Sequence, residues 1–182
     1  MTKATIIQLI KDRCGLQFSD RTVAIHLGHV FTSVLGQLFA QNPNQWEFYS
    51  KRIKLSVSNR FAALTVPVIQ TITNGNGVPR CYSADGDTVF YPSPYYSLTS
   101  SADAANLHGF VFYTVTANGI RFSDTLPEDT TEVLADAVLE ISAYGDNDFI
   151  NLPSGVAQTI IDLTVQAVNG GNAHGNIYKP KS

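Results

Sequence analysis

Between positions 23 and 39 apolar side chains return every three or four residues, and from position 53 they return every second residue. That change of period constrains the fold more than any other feature of the chain. Val23, Leu27, Val30, Phe31, Val34, Leu35, Leu38 and Phe39 make one stripe, because a helix of 3.6 residues per turn brings such positions onto one face. Ser19 or Asp20 can cap its start, and Asn42-Pro43 ends it, since a proline ring disfavours helical backbone at the residue before it. Ile53, Leu55 and Val57 then alternate with Lys54, Ser56 and Ser58, the pattern of a strand with one buried face.

The remaining segments fall on either side of that switch. Residues 5–14 carry Ile6, Ile7, Leu9 and Ile10 with Gly15 as a stop, which predicts a short first helix. Residues 61–72 are rich in β-formers but broken at Pro67, a mark of a strand end or an edge. Asn74-Gly75-Asn76-Gly77 predicts a loop, and Tyr91-Pro92-Ser93-Pro94-Tyr95-Tyr96 an aromatic, proline-punctuated one. Residues 110–116 and 120–123, separated by Ala117-Asn118-Gly119, read as a hairpin. Residues 132–142 suit helix by alanine content and strand by Val133, Val138, Leu139 and Ile141; their β-type surroundings favour strand. Asp146 to Phe149 is a turn. Pro153-Ser154 opens a last helix with Val156, Ile160, Ile161, Leu163, Thr164 and Val168 on its apolar side, ending at Gly170-Gly171.

The expected architecture is α+β: an N-terminal helical pair (1–42), an antiparallel β-rich middle (46–142) and one C-terminal helix (153–169). Together these make one structural domain, 1–171, followed by a flexible polar tail, 172–182, that orders against a partner.

Charged residues are 15% of the chain and hydrophobic ones 44%, against about 25% charged in an average globular protein. Few charges at ordinary hydrophobicity exclude disorder and imply a surface that is neutral-polar or covered by partners. A net charge of -3 leaves no whole-chain basic footprint for nucleic acid. Cys14 and Cys81 stand apart and outside any Cys-x-x-Cys, which suits two buried reduced thiols. Met1-Thr2-Lys3 leads into one apolar turn broken by Lys11, Asp12 and Arg13, too short and too charged for a leader or membrane span.

Signals for chemistry are scarce. The sequence holds no phosphate-binding glycine loop ending in Gly-Lys-Ser/Thr, no dinucleotide fingerprint and no Gly-x-Ser-x-Gly elbow. His26 and His29 are three apart on the long helix, close enough to share a metal, but no acid accompanies them. Asp85-Gly86-Asp87 and Asp146-Asn147-Asp148 resemble ion-binding pairs, yet neither continues into a twelve-position calcium loop, and Asp, Asn and Gly are ordinary turn formers. Trp46, Phe48 and Tyr49 beside Lys51, Arg52 and Lys54 suit either a single-strand nucleic-acid platform or core packing with an interface edge. These observations point away from an enzyme, and to no cofactor and no metal.

Charge is split along the chain. Residues 1–60 hold eight Lys and Arg against three acids, and residues 122–182 hold nine acids against two lysines. Two arrangements follow. Either the basic and acidic segments pack together within one chain, or they lie on different sides and attract successive copies head to tail. The second makes Lys51, Arg52, Lys54 and Arg60 face Asp146, Asp148 and the neighbouring Pro153 step of another copy.

Leu64-Thr65-Val66-Pro67-Val68-Ile69-Gln70 followed by Gly77-Val78-Pro79-Arg80 resembles a run found in a tailed-phage structural family. Asp146-Asn147-Asp148-Phe149-Ile150-Asn151-Leu152-Pro153-Ser154-Gly155, leading into Ile160-Ile161-Asp162-Leu163, is similar to that family's acidic turn, Leu-Pro step and closing helix. Asn42 to Tyr49 before a basic strand fits as well. The family is the ring or head–tail connector (neck) proteins of podovirus-like phages, crAss-like phages in particular. The resemblance implies a virion structural subunit, made in the host bacterial cytoplasm, that forms a dodecameric homo-oligomeric ring below the portal. Its partners would be further copies, the portal and neighbouring neck or tail proteins. DNA would pass through the channel without sequence-specific contact, and no membrane is implied. Another virion part, such as a tail, head-decoration or glycan-binding module, is the alternative, and an enzyme with a dispersed site a more distant one.

Overall fold

Thr2 opens the first helix, α1 (Lys3–Cys14). Its backbone is extended, and its hydroxyl accepts the Thr5 amide proton at 3.2 Å, satisfying one of the donors a helix start leaves free. Gly15 closes α1 in the left-handed region (φ 84°), its amide bonded to the Lys11 carbonyl. α2 (Asp20–Gln41) follows. Of its two candidate caps, Ser19 does the work, accepting the Thr22 amide at 3.2 Å.

The computed structural model describes residues 1–15, 18–69, 78–93, 109–116 and 118–175. The 74–77 loop, positions 94–96 of the aromatic segment, Ala117, and residues 176–182 of the tail lie outside the described residues, as do Gln70 and Gly77 of the phage-like motifs. By contact density the chain divides into two compact units, Met1–Gln41 with Glu140–Ser182, and Asn42–Leu139. The class is α+β, helices at both ends and strands between.

The first unit is helical. α1 and α2 pack on each other and on α3 (Ser154–Gly175). Val23, Leu27, Phe31, Leu35 and Phe39 of α2 are buried with Ile6 and Ile10 of α1 and Ile160, Ile161 and Val168 of α3. Each such side chain removed from water contributes about 1.5–3 kcal/mol. The N-terminus is stitched to the turn before α3. Thr2 bridges Phe149, Ile150 donates to the Met1 carbonyl at 2.8 Å, and Ala4 donates to the Asp146 carbonyl at 3.0 Å. α3 continues past the expected stop at Gly170-Gly171 to Gly175. Glycines weaken a helix by about 1 kcal/mol each but still supply both backbone partners, so a pair of them need not end it.

The second unit is a closed barrel of seven strands among the described residues: β1 (Ser50–Ser58), β2 (Phe61–Ala63), β3 (Arg80–Ser83), β4 (Val89–Pro92), β5 (Phe112–Thr116), β6 (Gly119–Phe122) and β7 (Glu132–Val138). Around the barrel they run β1-β2-β6-β5-β4-β3-β7, and β7 returns to pair β1 from Ser50–Val138 to Ser56–Glu132. The strand ladder begins at Ser50 because Pro43–Phe48 forms a 3₁₀ turn before it. Buried alternate positions line up across the ladders: Leu55 with Val133, Cys81 with Ala135 and with Phe90, Ala62 with Ile120, Tyr113 with Phe122. Tyr113 is fully buried, and its hydroxyl donates to the Val78 carbonyl at 3.2 Å.

Three details differ from the sequence expectation. The middle is antiparallel except for β4 and β5, which run parallel. Tyr91 and Pro92, expected in a loop, lie in β4; Tyr91 donates to the Val111 carbonyl at 2.9 Å, and Pro92 ends the strand, where a missing amide proton costs least. The strand expected over 132–142 stops at Val138. Leu139 makes only a bridge to Val68, and Ile141–Ala143 form a 3₁₀ turn whose Ile141 is buried beside Gly28 of α2.

Candidate assembly surfaces

Strand β1 carries three of the predicted interface cations, and the barrel register decides what each meets. Arg52 lies opposite Asp136 of β7. Its Nε donates to Oδ1 at 2.8 Å and its Nη2 to Oδ2 at 3.1 Å. The Tyr82 hydroxyl adds a third bond to the same carboxylate at 2.7 Å, and the Arg52 guanidinium lies 4.4 Å from the centre of the Tyr82 ring. Burial would push the Asp136 carboxyl up, but the bonds from Arg52 and Tyr82 and the charges of Arg52 and Arg80 hold it below the ordinary carboxylate range. Lys54 reaches Glu132 at 2.6 Å. Arg80 of β3 pairs Glu47 at 3.0 Å and lies 5.0 Å over the Trp46 ring. Three cations and three carboxylates thus share this face of the barrel, which carries no net charge.

Arg60 sits with Asn59 in the two-residue turn between β1 and β2, both at positive φ (57° and 51°). Such a turn matches the twist of the strands it joins. Arg60 bonds Asp124 at 2.8 Å and approaches Glu128 at 3.5 Å. Of the four predicted cations only Lys51 is exposed with no ion pair to any described residue.

The predicted acids lie in the helical unit. Asp148 accepts the Gly145 amide at 3.1 Å and shapes its own turn. Asp146 is exposed, 4.0 Å from the Lys3 ammonium, which donates to the Tyr144 carbonyl at 3.0 Å. The Pro153 carbonyl accepts the Ala157 amide at 2.9 Å, so Pro153 is the first acceptor of α3. Arg13 pairs Asp162 of α3, and Lys11 pairs Asp20. Much of the basic-to-acidic split is therefore closed inside the chain, each pair within its own unit.

Two features of the helical unit escaped the sequence reading. A groove of roughly 770 Å³ runs along α2 beside the 141–143 turn, floored by Ala24, Leu27, Gly28 and Ile141 and edged by Ile25, Arg21 and Lys3. Ile25 is 53% exposed. α2 is also long and apolar enough, by length and composition, to cross a membrane, with a mean hydropathy of 1.4 over its most apolar window and a third of that window buried. Its buried stripe packs on α1 and α3, as a core helix does. Among the large apolar residues of α2, Ile25 alone is exposed. Phe149, at the end of the acidic turn, is 71% exposed. Ile25 off the main stripe was the available signal for the groove, and a phenylalanine directly after Asp146-Asn147-Asp148 the signal for the exposed ring.

No protein-family model matches the chain, and no curated protein matches it. What the surfaces can do must come from their chemistry.

Among the described residues no three His, Cys, Asp or Glu side chains converge on a metal position. Asp85 accepts the Asp87 amide at 3.1 Å and the Ser83 hydroxyl, and Gly86 turns the chain at φ 86°, so this Asp-Gly-Asp builds the β3–β4 turn. Those bonds, the Ser83 hydroxyl first, hold Asp85 below the usual carboxylate range. Cys14 and Cys81 are free and buried, and burial pushes both thiols up, away from the reactive thiolate. Tyr91, Phe110 and Phe112 form a partly exposed aromatic group, ring centres 5.4 and 6.0 Å from Tyr91.

Proposed function

We propose that this chain is a non-enzymatic structural subunit of a tailed-phage virion. It assembles with copies of itself into a ring of the head–tail connector below the portal, around the path of the exiting DNA. The observation that carries the assembly reading is the open, largely apolar groove on α2 with the exposed Ile25 at its edge. The place in the virion rests on the phage-like motifs at 64–80 and 146–163. The charge-neutral outer face of β1, β7 and β3 agrees with a wall that lets DNA slide, because each phosphate contact would add to its retention.

The test is size-resolved mass of the purified chain, alone and mixed with portal-bearing particles, at low and high salt. A ring-sized species or specific incorporation into particles is expected. A chain that stays monomeric and joins no particle overturns the reading.

The Tyr91–Phe110–Phe112 group supports a second reading, a glycan-binding virion module, since sugar faces stack on exposed rings. Loss of glycan retention in Tyr91→Ala, with particle incorporation absent in the parent, would favour it.

A further inference from the structure

We infer that the α2 groove is the socket for Phe149 of a second copy of this chain. The inference rests on the assembly reading and names the contact within it. Phe149 is the most exposed large apolar residue among those described, at 71%, and the turn that carries it is anchored, not free. Thr2 pairs with it in a β-bridge, Ile150 behind it is buried and bonded to the Met1 carbonyl, and Asp148 before it is held on the Gly145 amide. A rigid aromatic side chain loses little freedom on docking, which is why such residues dominate contact energies.

The groove offers the matching chemistry. Its floor is apolar, and Gly28 adds no side chain to it; a Cβ there would sit in ordinary contact with Ile141 at 3.8 Å. Charge matches as well. The knob is flanked by Asp146 and Asp148, while the groove is edged by Lys3 and Arg21 against Glu140 alone. Lys3 already faces Asp146 of its own chain, so Arg21, with no ion pair to any described residue, is the cation available to a neighbour. An apolar plug inside a complementary charged rim is the anatomy of a specific interface. Knob and socket are separate patches, so knob into the next copy's socket in one direction is a heterologous contact, the kind that closes into rings, whereas reciprocal exchange would stop at a two-fold pair, which sedimentation distinguishes.

Two single variants of the full-length chain test this. Phe149→Ser removes the knob and Ile25→Asp blocks the socket rim, and both positions are exposed enough to leave the fold intact, which circular dichroism checks. Self-association is read by sedimentation, and uptake by portal-bearing particles in parallel. Each variant alone should lose association at least tenfold. Mixing them should restore a pair that grows no further, because the mixture holds one intact knob and one intact socket. In addition, Asn147→Cys, beside an intact Phe149, mixed with His29→Cys on the groove lining should form an interchain disulfide roughly tenfold faster than Asn147→Cys mixed with Gln166→Cys on exposed α3, through the raised effective concentration of a formed contact. Variants that associate and enter particles like the parent, with no preferred disulfide, overturn the knob-and-socket contact and leave the assembly reading standing. A parent that neither associates nor enters particles overturns both.

Discussion

Arg52 and Asp136 are 84 residues apart in sequence and face each other across the β1–β7 ladder, joined by two hydrogen bonds. Asp136 is buried at 9% exposure, while Arg52 keeps half its side chain in water. The pair sits on the seam that closes the barrel, with Tyr82 of β3 bonded to the same carboxylate.

Asp136→Asn should therefore destabilise the barrel unit by about 1–3 kcal/mol near neutral pH, the range for leaving a buried partner short of its charge-assisted bonds. Denaturant unfolding followed by Trp46, the single tryptophan, reports it, since that ring lies under Arg80 in the same unit. The pH dependence has a definite sign. The folded carboxyl titrates below its unfolded value, so its contribution is full above the unfolded pKa of about 3.9 and is lost as pH falls through the lowered folded value. Parent and variant should converge in acid. A gap that widens on acidification would contradict the pairing.

Gly119→Ala should strain the β5–β6 hairpin where it packs on β2. An added Cβ would overlap the Ala62 carbonyl oxygen and the Phe61 ring, and backbone cannot step aside as a flexible side-chain tip can. A loss of about 1–3 kcal/mol is expected from such overpacking, read as a lowered denaturant midpoint.

Gly28→Ala should behave in the opposite way. The new methyl meets Ile141 at ordinary contact distance, and alanine is favoured over glycine in a helix by about 1 kcal/mol. Thermal stability should rise or stay level. A marked drop would show that the floor of the α2 groove is more tightly packed than its geometry indicates.

Lys54→Glu and Lys51→Glu separate a pair inside the chain from a free cation. Lys54 faces Glu132 at 2.6 Å, so reversal puts like charges together and should cost about 0.5–1 kcal/mol, shrinking in high salt. Lys51 has no described ion-pair partner, and its reversal should leave stability unchanged. Equal effects from both would contradict the register of β1 on β7.

Much of the fold was legible along the chain. The α2 stripe, the Gly15 stop, the Pro153-Ser154 start and the alternation in β1 all lie where expected, because each depends on residues within a few positions of one another. β3 passed unnoticed because four residues, Arg80–Ser83, are too few to display a period. Of the candidate surfaces, the acidic turn was visible and its exposed Phe149 was not, since burial depends on what else packs nearby.

The sequence by itself determined that helices at both ends flank a strand-rich middle and that acids and bases are concentrated in different segments. Only the tertiary structure decided that seven strands close into a barrel, that β4 runs parallel to β5, and that Arg52, Lys54 and Arg60 meet their acids inside the chain. Capping and periodicity act between near neighbours in sequence. Ladder register and ion pairing join residues brought together by closure, and Asp136 shows it: Arg52 of β1 and Tyr82 of β3 reach its carboxylate only because both strands flank β7.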